Sequence, residues 1–106
     1  MSKKQKQEKT GISKLIKECH LIASDKGWWD SERNDGELIA LMHSELSEAL
    51  EAMRNHGTKD NIAEELADCC IRIFDYCGAR GIDLDKTLRR KIEYNKTRPY
   101  RHGKKF

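Results

Sequence analysis

Four carboxylates raise the first question: Glu45 and Glu48, then Glu65 and Asp68. Each pair has i, i+3 spacing, which on a helix sets two side chains on one face about one turn apart. Two such faces on neighbouring antiparallel helices would gather four acids in one place. Oxygen-only donors of that kind suit Mg²⁺ or Mn²⁺ rather than zinc. An ion held this way serves hydrolysis, because it offsets negative charge and lowers the pKa of a bound water.

Solvated helix faces carry acid pairs at the same spacing, so position has to separate the two cases. On a helical wheel, Leu38, Ile39, Leu41, Met42, Leu46, Ala49, Leu50 and Met53 form one apolar arc. Glu45 falls inside that arc and Glu48 on its edge. An ionised carboxylate buried without a partner costs several kcal/mol, so a glutamate placed there calls for a cation. The following helical pattern is less clean. Ile62, Leu66, Cys69, Cys70, Ile73, Phe74 and Cys77 make its apolar side, with Glu65 at the border and Asp68 one step further out. Glu51 and Asp75 are the further acids that could join as ligands or supporting groups.

Four helices are expected to position these groups. The first covers roughly 13–24 and is broken at Asp25, Lys26 and Gly27, after which Trp28 and Trp29 open a loop. The second spans 37 to about 55, with Gly57 as its stop. The third spans roughly 61–79, with Asp60 as N-cap and Gly81 as terminator. The fourth spans about 84–96, capped by Asp83 or Asp85, and Pro99 prevents further helix. Short connections make neighbours antiparallel. The fold class is therefore all-α, a small four-helix bundle over residues 11–106, preceded by a disordered basic arm at 1–10. A core this thin is expected to be completed by oligomerisation.

Composition narrows the setting. The 106 residues are 37% hydrophobic and 37% charged, with one proline and 7% aromatics, which suits charged helices better than sheets. No apolar run is long enough to span a bilayer, and none follows the lysines of the arm as a signal peptide would need. Cys19, Cys69, Cys70 and Cys77 match no familiar disulfide framework, so a reducing, cytoplasmic compartment is expected. Free thiols acting as small apolar groups explain them better than a zinc site with a histidine. The net charge is only +3, but its sign is segregated. From Asp30 to Asp75 twelve acids face four Lys or Arg; from Lys86 to Phe106 nine Lys or Arg face one acid. A basic end of this kind fits nucleic acid, or the phosphates of a nucleotide held beside an acidic centre.

The segments Ser44 to Glu48, Glu64 to Asp68 and Lys91 to Gly103 together resemble the MazG-like all-α nucleoside triphosphate pyrophosphohydrolases. That family carries Glu-Glu-x-x-Glu, a spacer, Glu-x-x-Asp, and then Lys-x-x-x-Asn. The likeness covers the chain from about Trp28 onward. It implies a MazG-like bundle acting as a homodimer or homotetramer, sometimes with sites completed across subunits. It implies hydrolysis of (d)NTP to (d)NMP and pyrophosphate, with Mg²⁺, or Mn²⁺ in its place, on Glu45, Glu48, Glu65 and Asp68. Lys91 and Asn95, helped by Arg98, would meet the phosphates, and Lys91 would offset charge during reaction. Glu45 or Glu48 would orient or deprotonate the attacking water. Trp28 and Trp29 offer flat surfaces for the base. One departure stands out: the first Glu of the family's leading pair is Ser44 here, which leaves the general base open.

Other readings compete with this one. A phosphoribosyl-ATP pyrophosphohydrolase would share the carboxylate logic. A helical nucleic-acid-binding protein would use the basic tail, but it leaves the acid inside an apolar arc unexplained. A non-catalytic bundle with a degenerate site is the third, and Ser44 is its only hint.

Overall fold

The computed structural model describes residues 11–106; the basic arm expected at 1–10 lies outside the described residues. Its elements are α1 (Gly11–Asp25), α2 (Asp35–Arg54), α3 (Lys59–Arg80), α4 (Leu84–Lys96) and a short 3-10 turn (Tyr100–Gly103). No strand occurs among the described residues, and none of their helices is long and apolar enough to cross a membrane.

The ends of the helices follow local chemistry. α1 stops where Gly27 takes a φ of 88°, in the left-handed region that a residue without Cβ enters freely. α2 begins two residues before the expected start, because the Asn34 side chain accepts the Glu37 N–H at 3.0 Å. The N-cap of α3 is Thr58 rather than Asp60. Its hydroxyl accepts the Asn61 N–H at 3.2 Å, and the Asn61 side-chain oxygen accepts the Thr58 N–H at 3.3 Å. This reciprocal box satisfies two donors, which Asp60 inside the first turn could not do. Gly81, at a φ of 67°, ends α3 as expected, and Asp83 caps α4 through the Lys86 N–H at 3.0 Å.

α3 is the central element. α2 packs along one side of it, α1 along another, and α4 leans on α1. The buried apolar residues are Leu38, Ala49, Cys69 and Cys77, with Glu45 buried among them. All four cysteines are free. The Cys69 thiol reaches the Met42 carbonyl at 3.5 Å and so ties α3 to α2.

One part of the apolar arc is not covered. Leu46, Leu50 and Met53 of α2 and Leu66 of α3 are exposed, although the wheel puts them on the core side. The reason is geometric. With α1 and α2 on different sides of α3, and α4 resting on α1, no element among the described residues lies over that stripe. The radius of gyration, 16.9 Å, exceeds the about 13 Å of a closed chain this long, which fits such an open arrangement.

Candidate metal centre and its pocket

The α2–α3 seam brings three of the four expected ligands together. Oxygens of Glu45, Glu65 and Asp68 all lie within 4.8 Å of one another. Glu48, exposed one turn after Glu45, is not in that group but neighbours the Glu65 carboxyl closely enough to raise its pKa. Packing explains the meeting: Glu45 belongs to the face of α2 that carries Leu38 and Ala49 inward. It has to enter the seam if they do.

The cluster is short of positive charge. Among the described residues Glu45 has one cation, Arg72, whose Nε donates to Glu45 Oε2 at 2.7 Å. Glu65 pairs with no cation among the described residues, and its Oε1 is shut off from solvent with no hydrogen-bond partner among them. Burial, then Glu48, then Asp68 and Glu45, raise the Glu65 carboxyl above its ordinary value. Around an octahedral Mg²⁺ with bonds of about 2.1 Å, neighbouring oxygens stand about 3.0 Å apart and opposed ones about 4.2 Å, so the three acids would draw in by up to about 2 Å, within reach of side-chain rotation. The donor set and the orphaned oxygen both fit such an ion. The thiols fit zinc poorly: burial pushes Cys69 and Cys77 up, away from the thiolate that zinc requires.

Beside the acids opens a pocket of about 330 Å³ between α1 and α3. Glu45, Asp68 and Arg72 form one wall, and Ile22, Trp28 and Arg33 contribute to the rest. The two indoles separate here. Trp28 lines the pocket and is 61% exposed. Trp29 is turned inward, donating from Nε1 to both Asp75 oxygens at 2.9 and 3.1 Å. His20 Nδ1 meets the same carboxylate at 2.9 Å. Arg33 lies over both indoles, 5.1 Å from the Trp29 centroid and 5.7 Å from that of Trp28. At the base of this region α1 and α3 nearly touch: a Cβ on Gly78 would sit 2.7 Å from His20 Cβ. Only glycine allows that approach.

The expected phosphate-binding residues are elsewhere. Lys91, Asn95 and Arg98 do not line the pocket, and α4, which carries the first two, rests on α1 rather than on the helices that bear the acids. Lys91 and Arg98 lie over the Tyr94 ring at 5.3 and 5.5 Å. Arg98 also borders a second, basic cleft with Arg101, His102, Lys104 and Lys105. Glu51, raised as a further acid, bonds the Asn55 side chain at 3.2 Å instead.

Arg72 and Arg33 were missed in the sequence reading. The signal was present: only four Lys or Arg interrupt the acidic stretch from Asp30 to Asp75, and two of them face this pocket. Comparison of the chain with protein-family models, with curated proteins and with solved structures finds no significant match.

Proposed function

We propose that the chain is a Mg²⁺-dependent nucleoside triphosphate pyrophosphohydrolase, converting (d)NTP and water to (d)NMP and pyrophosphate. The observation that carries this reading is the convergence of Glu45, Glu65 and Asp68 from two helices at the edge of a pocket that also presents an exposed indole. Glu45, Glu65 and Asp68 would hold the ion, with Glu48 beside them. Bound there, Mg²⁺ would supply Lewis-acid stabilisation of the phosphate charge and a more acidic water.

The residues of the chain divide the remaining work. Glu45 is tied to Arg72, so Glu48, exposed and without such a tie, is the better base to take the proton from the attacking water. Trp28 offers its ring to the base of the nucleotide. Trp29, fixed by Asp75, keeps the loop that carries Trp28 in place. Lys91, Asn95 and Arg98 are assigned to the pocket of a second copy, packed through the uncovered stripe of Leu46, Leu50, Met53 and Leu66. Four free cysteines suit a reducing, cytoplasmic setting.

A panel of NTPs and dNTPs, with phosphoribosyl-ATP included, tests the reading. With Mg²⁺ or Mn²⁺ the products should be monophosphate and pyrophosphate, and EDTA should abolish both. Release of orthophosphate with diphosphate, or turnover untouched by EDTA, would refute it.

A further inference from the structure

Among the described residues, Arg72 is the one cation that both touches the acid cluster and faces the cavity. It sits one turn beyond Asp68 on α3. Its bond to Glu45 is made through Nε and uses one of the five N–H groups of a guanidinium. Neither terminal nitrogen has a recorded partner among the described residues. The side chain is 35% exposed, so the remaining fork is accessible from the pocket. Four donors therefore stand unassigned on the wall that carries Glu45 and Asp68.

A planar fork of this kind matches two phosphate oxygens at once, which an ammonium cannot do. The other cations of the pocket are less suited. Arg33 is held over two indoles, and Lys26 is a single point charge in the loop after α1. We propose that Arg72 binds the phosphate chain of the substrate through its terminal nitrogens while its Nε keeps Glu45 in place. The inference rests on the hydrolase reading and gives that site a phosphate-binding residue on the same chain as its acids. One side chain then registers the substrate against a metal ligand, because the guanidinium is rigid.

The rival account is that Arg72 only supports Glu45. Calorimetry on the full chain separates the two, using Mn²⁺ alone and then an α,β-imido nucleoside triphosphate at saturating Mn²⁺. Arg72→Gln and Arg72→Lys both retain a donor for Glu45 and lack the fork. Arg72→Gln should keep Mn²⁺ affinity within about threefold and lose about tenfold or more in analogue affinity, as expected for lost hydrogen bonds to a charged group. Arg72→Lys should recover only part of that loss, and it carries the test if the glutamine variant does not fold. Unchanged analogue affinity, or a loss matched by an equal loss of Mn²⁺, would overturn the assignment while leaving the hydrolase reading intact. A wild-type protein that binds neither Mn²⁺ nor the analogue would remove the hydrolase reading and this inference together.

Discussion

α3 carries carboxylates toward both of its main neighbours, and the two sides are finished differently. Toward α1, Asp75 is closed: the Trp29 indole N–H and His20 occupy it at 2.9 to 3.1 Å. Toward α2, Glu65 and Asp68 meet Glu45 and Glu48 with one guanidinium for the group among the described residues, where one buried oxygen has no partner. The two regions lie about two turns apart on one helix. A carboxylate surrounded by donors is a structural pin. Several carboxylates surrounded by each other form a place that gains by receiving charge.

The largest effect expected from this contrast is on turnover. Glu48→Gln and Asp68→Asn should each lower the hydrolytic rate by at least about a hundredfold, read from initial rates at saturating Mg²⁺. Asp75→Ala should behave in the opposite manner. It leaves the Trp29 N–H unpaired, costs about 2–3 kcal/mol of stability in denaturant unfolding, and leaves Mn²⁺ affinity within about twofold. If Asp75→Ala abolished Mn²⁺ binding at unchanged stability, the division between pin and receiver would be false.

The smallest effect has an unusual sign. Because the folded-state pKa of Glu65 is raised above its ordinary 4.5, the folded chain binds the proton more tightly than the unfolded one. Metal-free stability then falls as pH rises from that ordinary value through the raised one, and the deficit persists above it. Glu65→Gln should therefore raise the metal-free Tm at neutral pH, and the gain should vanish below about pH 4. Mn²⁺ should reverse the order. At a hundredfold excess over Kd it should lift wild-type Tm by about 10 °C or more and Glu65→Gln by much less.

The helices were legible because period and punctuation agree: the apolar rows of α2 and α3 and the stop at Gly81 follow from residue type alone. The Thr58 cap was not, since Thr58 and Asp60 are both good caps, and only the reciprocal bond with Asn61 chooses between them. Glu45 was legible as a buried acid needing a cation. That the cation recorded is Arg72 was not, because residues 27 apart in sequence meet only through tertiary packing. The separate fates of Trp28 and Trp29 were equally hidden: adjacent residues in a loop have no fixed period, and the choice was made by Asp75 on another helix. The uncovered stripe shows the limit of a wheel, which says that a face is apolar but not what lies over it.

The joint between α2 and α3 has only four residues, Asn55 to Thr58, and no slack. His56 is left-handed at a φ of 59°, the Gly57 N–H meets the Ala52 carbonyl at 2.6 Å, and a Cβ on Gly57 would sit 2.7 Å from that same oxygen. A residue added or removed there would have to be absorbed by a bend already in close contact, or it would shift one acid pair against the other. The spacing of the cluster is thus written in the length of a bend that touches none of its members.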